Sequence, residues 1–406
     1  MKRIVTAAVL LSVCAACGRE SSSGSRYGFV TVLGNDTVAV ERITRTADRL
    51  VSDDVDRWPS VKVRHTEMML APDGKITHVD MEVHTPNGAT PKARERHVTA
   101  DLTADSVKIS IRDSSGVKDT AFATGGAITV PHVSMMYSVI EQEIAAALMR
   151  ASSAHLAPGD SVQFRQWYPD RDIGESFVLH QGFVRPSPGG KVELWHDWLS
   201  GVADVVVDTN RQMLSYSGAR STYKVAVTRV AVGDVPDIDT FGAKLAAAEK
   251  AAGGIKQLSV RDTARGTVGA ATISVDYGRP LARGRELLGK VIEYDYVWRT
   301  GANAATQFTT TASITLAGIP LAAGTYTLWT APHANGVVDL IVNKETGQWG
   351  TDYDSAHDLA TKPLLTETVT KPVEEFTISV VPGDPHHASL VLEWGNFRWS
   401  APIVVK

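Results

Sequence analysis

The sequence predicts a mostly β protein. An N-terminal antiparallel half-barrel or meander carries one covering helix, a linker helix follows, and a C-terminal β-sandwich ends the chain. Three observations point there. Short alternating runs rich in Val, Ile, Thr and Tyr recur along nearly the whole length, as residues that fit a pleated surface do. Turn residues such as Pro72-Asp73-Gly74 separate them. Only two stretches carry helical periodicity or propensity, residues 133–150 and 240–252.

The chain has 406 residues, enough for two or three domains. Hydrophobic residues make up 43% and charged residues 21%, an ordinary globular composition. A net charge of -4 argues against nucleic acid as a partner, since such binders carry a basic surplus.

Residues 1–16 have the character of an export signal. Met1-Lys2-Arg3 supplies positive charge, and Ile4 to Val13 is an apolar run too short to span a membrane. Cys14-Ala15-Ala16-Cys17-Gly18 then resembles a bacterial lipoprotein signal, with Cys17 as the acylated residue. That resemblance implies palmitate-type acylation, a membrane partner through the anchor, and a cell-envelope location. Arg19 in the second position after Cys17 implies sorting to the outer membrane. Cys14 and Cys17 are the only cysteines, so the body of the chain has no disulfide, thiol nucleophile or cysteine metal site. Residues 17–26, with Ser21-Ser22-Ser23-Gly24-Ser25, form a flexible tether.

Residues 27–232 form the first domain. Expected strands are Phe29–Leu33, Thr37–Arg45, Val61–Leu70, Lys75–His84, His97–Leu102 and Ser106–Arg112. After the helix come Ser161–Trp167, Glu175–Val184, Lys191–Leu199, Val202–Asp208, Met213–Gly218 and Thr222–Val230. The helix at 133–150 places Met136, Ile140, Ile144 and Leu148 on one face. One apolar helix within a meander resembles, in architecture, the half-barrel lipoprotein carriers of the LolA/LolB type. A groove between helix and sheet would take an apolar or lipid ligand. The plainer alternative is that Met135, Met136 and Met149 fill a core.

Residues 233–269 form the linker. Its helix, 240–252, has Asp239 or Thr240 as cap and stops at Gly253-Gly254.

Residues 270–406 form the sandwich. Expected strands are Ala271–Tyr277, Ile292–Thr300, Gln307–Ala317, Thr325–Thr330, Val337–Asn343, Glu375–Val381, Ser389–Trp394 and Ser400–Val405. Several motifs fall here in order: Val275-Asp276-Tyr277-Gly278-Arg279-Pro280, Val297-Trp298-Arg299-Thr300-Gly301-Ala302-Asn303, Leu321 to Leu328, and Gln348-Trp349-Gly350. Together they resemble a bacterial family of unknown function, DUF2911, over the last third of the chain. The resemblance implies a fold and candidate positions rather than a reaction. Relatives usually carry Glu where this chain has Ala304, so any chemistry of that acid is missing here.

Ligand-binding candidates are Tyr277, Arg279, Trp298, Arg299, Asn303, Trp349 and Tyr353, polar and aromatic residues bunched at strand ends and turns. An Arg fork beside an Asn amide can hold a carboxylate or phosphate, though the same groups can simply tie a turn. No cofactor and no metal site is expected. Gly284 to Val291 lacks the Ser or Thr that a P-loop needs for magnesium. Asp170-Arg171-Asp172-Ile173-Gly174 and the Asp352/Asp354 loop read as solvated turns rather than calcium loops. There is no His-Glu-x-x-His helix and no Gly-x-Ser-x-Gly elbow. The composite favours an anchored envelope protein that binds an apolar or anionic ligand. An envelope hydrolase with a site invisible in sequence, or a plain interaction module, are the alternatives.

Overall fold

In the computed structural model, residues 24–405 are described apart from 59, 128, 156, 158, 170–179, 198–200 and 253–257. The signal with Cys17, the Asp170–Gly174 loop and Trp198 lie outside the described residues.

The chain is mostly β. Its first strand, Ser25–Leu33, takes up the last residues of the expected tether and sits at the centre of a 15-stranded sheet. On one side it pairs with Asp36–Arg45, and later strands follow outward in chain order to Gly116–Ala123 at the edge. On the other side it pairs with Ala226–Ala231, and earlier strands follow in reverse to Thr129–Pro131. All neighbours are antiparallel except Thr129–Pro131 against Val162–Trp167.

Among the described residues three α-helices accompany the strands: the short α1 (Pro91–Arg94), α2 (Tyr137–Ala154) and α3 (Ile238–Ala251). Helix α2 touches both Asp36–Arg45, beside the central strand, and the edge strand Thr129–Pro131 with its neighbour Val162–Trp167. In a flat sheet, strands eight positions apart would stand roughly 38 Å from each other, while eighteen helical residues reach only about 27 Å. The sheet therefore curls around α2. The core that results draws Phe29, Ile43, Leu50, Met68, Phe164 and Leu194 from the strands, and Met136, Ile140 and Ile144 from the helix segment.

The inner face also holds charge. Glu41 accepts the N–H groups of Tyr137 (2.8 Å) and Ser138 (3.0 Å) and so caps α2 from a neighbouring strand. Arg64 donates to Asp54 (2.7 Å) and Asp56 (2.5 Å). On α2, Glu141 receives Tyr27 Oη, Arg45 (3.3 Å) and the Met213 N–H (3.0 Å). Glu143 receives Gln166 (2.8 Å) and lies 3.1 Å from His196 Nε2. These five carboxyls are buried. Helix α3 lies on the outer face, where Ile238 and Leu245 pack on Val40, Val55 and Val61.

The second unit is a two-sheet sandwich. Six strands run in the order Val260–Val268, Ala271–Arg279, Thr306–Thr310, Gly324–Pro332, Val338–Asn343 and Asp358–Pro363. Four more run Ile319–Leu321, Ile314–Leu316, His387–Val405 and Leu365–Pro382. Phe308, Leu340, Phe376, Leu392, Trp394 and Trp399 fill the space between.

Several expected boundaries move. Helix α2 starts at Tyr137, not 133, because Met135 turns with φ +64° and Met136 is extended. It runs on to Ala154, where His155 closes it in left-handed geometry. Helix α3 begins at Ile238, and Asp237 rather than Asp239 or Thr240 caps it, accepting the Thr240 N–H (3.0 Å). The supposed linker contains Val260–Val268, the edge strand of the sandwich. Gln307–Ala317 is broken between Thr310 and Ile314, which lets the chain change sheets. Ser389–Trp394 and Ser400–Val405 are parts of one long strand. Arg49–Arg57 and Gly116–Ala123 are strands that composition hides. Ile292–Thr300 is not a strand; it contributes two isolated bridges, Ile292 to Leu288 and Trp298 to Thr330, because Asp295 (φ +60°) and Thr300 (φ +53°) leave β geometry.

Candidate functional site

The connection from Leu281 to Ala305 joins two adjacent strands of the sandwich yet makes almost no regular structure. Arg283, Asp295, Thr300 and Asn303 all have positive φ within it. Positive φ is uncommon outside glycine and is a true outlier for β-branched Thr300. Backbone strain of this kind persists only where the surroundings hold it, and it concentrates at functional sites.

Three glycines do the holding. A β-carbon at Gly278 would fall 2.1 Å from Ala302 O, and one at Gly350 would fall 2.4 Å from Asn303 O. Gly301 (φ +156°) lies against Gly278 O. Gly350 N donates to Asn303 O (3.0 Å), and Ala304 bridges to Trp349. The glycines of three separate motifs thus close on one loop.

Trp298 anchors it. Its backbone exchanges hydrogen bonds with Thr330 (2.7 and 3.0 Å). Its ring stacks on Trp394 (6.0 Å) and meets Phe376 and Trp399 edge-on. Arg299 follows. Its guanidinium donates to Asn303 O (3.2 Å) and makes no ion pair among the described residues, with Asp352 acting on it only electrostatically. Burial lowers its pKa from the ordinary arginine value, since desolvation penalises the charged form. Asn303 donates to Ser259 O (3.4 Å).

This loop forms one wall of a cleft of about 700 Å³ between the curled sheet and the sandwich. Trp298, Arg299, Asn303 and Tyr353 line it, as do Tyr296, Trp329, Arg283 and Arg285. The facing wall comes from the first unit: Trp58, Arg220, Tyr223 and Lys224. Arg283 pairs with Asp36 across the junction and donates to Leu258 O (3.2 Å). Arg285 donates only to backbone, to Ala282 O (3.0 Å) and Leu281 O (2.7 Å). Burial and then the neighbouring Arg283 lower its pKa. Lys224 reaches Glu293 (3.1 Å), and Arg220 is held by Glu193 (2.7 Å) and Asp204. The buried indole N–H of Trp329 has no acceptor among the described residues. Size and composition suit a small-molecule site, for which roughly 300–1,000 Å³ is usual.

Four of the seven expected residues therefore meet in the cleft. Trp349 stands outside its lining, 52% exposed, beside Gly350. Tyr277 is a core residue whose hydroxyl donates to Ile378 O (3.3 Å) and accepts from Ile378 N (2.9 Å). Arg279 faces away, bound to Asp262 and Glu375 (both 3.0 Å). Sequence reasoning missed Arg283 and Arg285, which stand just before and inside the Gly284 to Val291 run rejected as a P-loop. The wall from the first unit had no sequence signal, because it is brought in from far along the chain. Among the described residues no cluster of three or more His, Cys, Asp or Glu is arranged to hold a metal ion.

The loop, its glycines and its tryptophan partners all fall in one family match. Residues 259–403 match the protein family of unknown function DUF2911. The DUF2911 region is thus the sandwich from its edge strand onward, and it contributes the wall of the cleft that carries Arg283, Arg285 and Arg299. No curated protein matches the chain. A DUF1089 family protein from Pseudomonas aeruginosa shares 11% identity, over 46% of this chain and 93% of its own, with a TM-score of 0.34. A β-barrel-like DUF1849 protein from Brucella abortus shares 12% identity, over 53% of this chain and 97% of its own, with a TM-score of 0.27.

Proposed function

We propose that this protein is a lipid-anchored accessory protein of the cell envelope that binds an anionic small molecule in the cleft beside the DUF2911 region. One observation carries the reading: Arg299 and Arg285 both line the cleft, and neither has a carboxylate partner among the described residues. A half-buried guanidinium with no ion pair is costly, and an incoming carboxylate or phosphate would supply one. The apolar-ligand alternative has less support, because α2 occupies the inner face of the curled sheet. The hydrolase alternative has less too: Glu293 and Asp295 line the cleft, but Lys224 and His333 already hold them.

Calorimetric titration with citrate and inorganic phosphate tests the site. Binding that weakens at least about tenfold in Arg299→Gln and fades with salt is the expected result. No heat with any anion would refute it. The anchor rests on the Cys14-Ala15-Ala16-Cys17 motif, and palmitate labelling should be lost in Cys17→Ser. No helix among the described residues is long and apolar enough to cross a membrane.

A further inference from the structure

Building on that reading, we propose that the anion is an acidic saccharide, a short chain of sugar rings carrying carboxylates. The first ground is the rim. Tyr296 is 67% exposed, Tyr294 43% and Trp349 52%, all on segments that flank Arg299. Large rings left in water beside a cleft mark an interaction surface rather than a core. Flat rings with a polar edge suit the apolar face of a sugar ring. Tyr296 itself lines the cleft and lies within electrostatic reach of Arg299.

The second ground is the spread of positive charge. Arg285 and Arg299 both line the cleft and make no ion pair among the described residues, and Arg220 and Lys224 stand on the facing wall. The lining thus carries more than one guanidinium without an ion pair, which a ligand with acidic groups on successive units can meet together. The third ground is the neutral polar part of the lining. Ser221, Thr222, Ser259 and Thr351 place neutral polar groups in the lining, and a hydroxyl that already donates, as Thr351 does to Asp352 (3.0 Å), can still accept from a sugar hydroxyl. A lone inorganic anion would use neither the rings nor these groups.

The test uses the full-length chain in detergent, titrated by calorimetry with trigalacturonate, galacturonate, galactotriose, inorganic phosphate and a hexathymidine strand. Trigalacturonate should bind about tenfold more tightly than galacturonate, phosphate or the neutral trisaccharide. Tyr296→Ala should lower the ratio of trigalacturonate to phosphate affinity about fivefold, and Tyr296→Phe, which keeps the ring, should restore it. Phosphate and trigalacturonate binding equally well would overturn the saccharide while leaving the anion site standing. Galactotriose matching trigalacturonate would overturn the requirement for acid. Equal binding of hexathymidine would overturn it in favour of single-stranded nucleic acid, which also uses rings and cations. Binding by none of the five would remove both readings.

Discussion

Gly350 lies directly against Arg299: a β-carbon at Gly350 would sit 2.3 Å from Arg299 Cδ and 2.8 Å from its Nε. One glycine therefore sets where the guanidinium stands, although it carries no chemistry of its own. Gly350→Ala should push Arg299 off its place, because the second close neighbour, Asn303 O, is backbone and cannot yield. Phosphate affinity, measured by calorimetry, should fall about tenfold or more, comparable to Arg299→Gln. Unchanged affinity would mean that the position of Arg299 does not matter to binding.

The curled sheet carries a pH dependence opposite to that of most exposed carboxylates. Burial raises Asp54 to about 8 and Glu141 to about 7, and raises Glu41, Asp56 and Glu143 as well. Each folded-state pKa exceeds its unfolded value near 4, so the folded chain holds more protons across the window between them. Stability is then greatest at the acid end of the window and declines as pH rises toward 8. The exposed acids shifted downward, such as Glu67 and Asp204, lose their contribution only below about pH 4. Thermal unfolding followed by circular dichroism should show a Tm about 5 °C or more higher at pH 5.5 than at pH 8. A Tm that is flat or rises with pH would contradict the buried-acid account.

His333 works in the same direction at the cleft rim. Its Nδ1 lies 2.6 Å from Asp295 and its Nε2 3.0 Å from Asp339, so the protonated ring donates to both acids at once. Hydrogen bonds to Asp295 and then Asp339 raise its pKa above the usual value. The pair of bonds is complete below pH 6.5 and is lost as pH rises through the raised value. The imidazole carbon shifts in an NMR titration should report a pKa above 6.5, returning toward it in Asp339→Asn. A midpoint at or below 6.5 would show that the ring does not bridge the two acids.

Much of this architecture was legible in the chain. Alternation marked most strands, and the Ile140/Ile144 spacing marked α2, because burial on one face leaves a period in the sequence. Arg49–Arg57 was not legible, since its acids Asp54 and Asp56 point inward to meet Arg64 and break the apolar pattern. Ile292–Thr300 misled for the reverse reason: Tyr294, Tyr296 and Val297 have strand propensity, but positive φ at Asp295 and Thr300 overrides it. At the site, Trp298, Arg299 and Asn303 lie close in sequence and were found together. Trp58 and Tyr223 were not, because only the packing of one unit on the other brings them across.

That packing rests on Arg283. The residue is 7% exposed and holds φ +53°, pairing with Asp36 on the first unit while its carbonyl accepts Asn35 N (2.9 Å). Asp36 stays half exposed, so water screens the pair and limits its strength. Removing Asp36 nevertheless leaves a buried guanidinium uncompensated, which costs more than removing both partners. In a double-mutant cycle, Asp36→Ala should lower stability more than Asp36→Ala combined with Arg283→Met, with a coupling of roughly 1 kcal/mol. Because Arg283 also lines the cleft, Asp36→Ala should loosen the walls against each other and weaken phosphate binding without touching the ligand. Denaturant unfolding followed through the tryptophans and calorimetry on the same samples measure both effects. Additive single changes would show that the two residues act independently and that the cleft is held by other contacts.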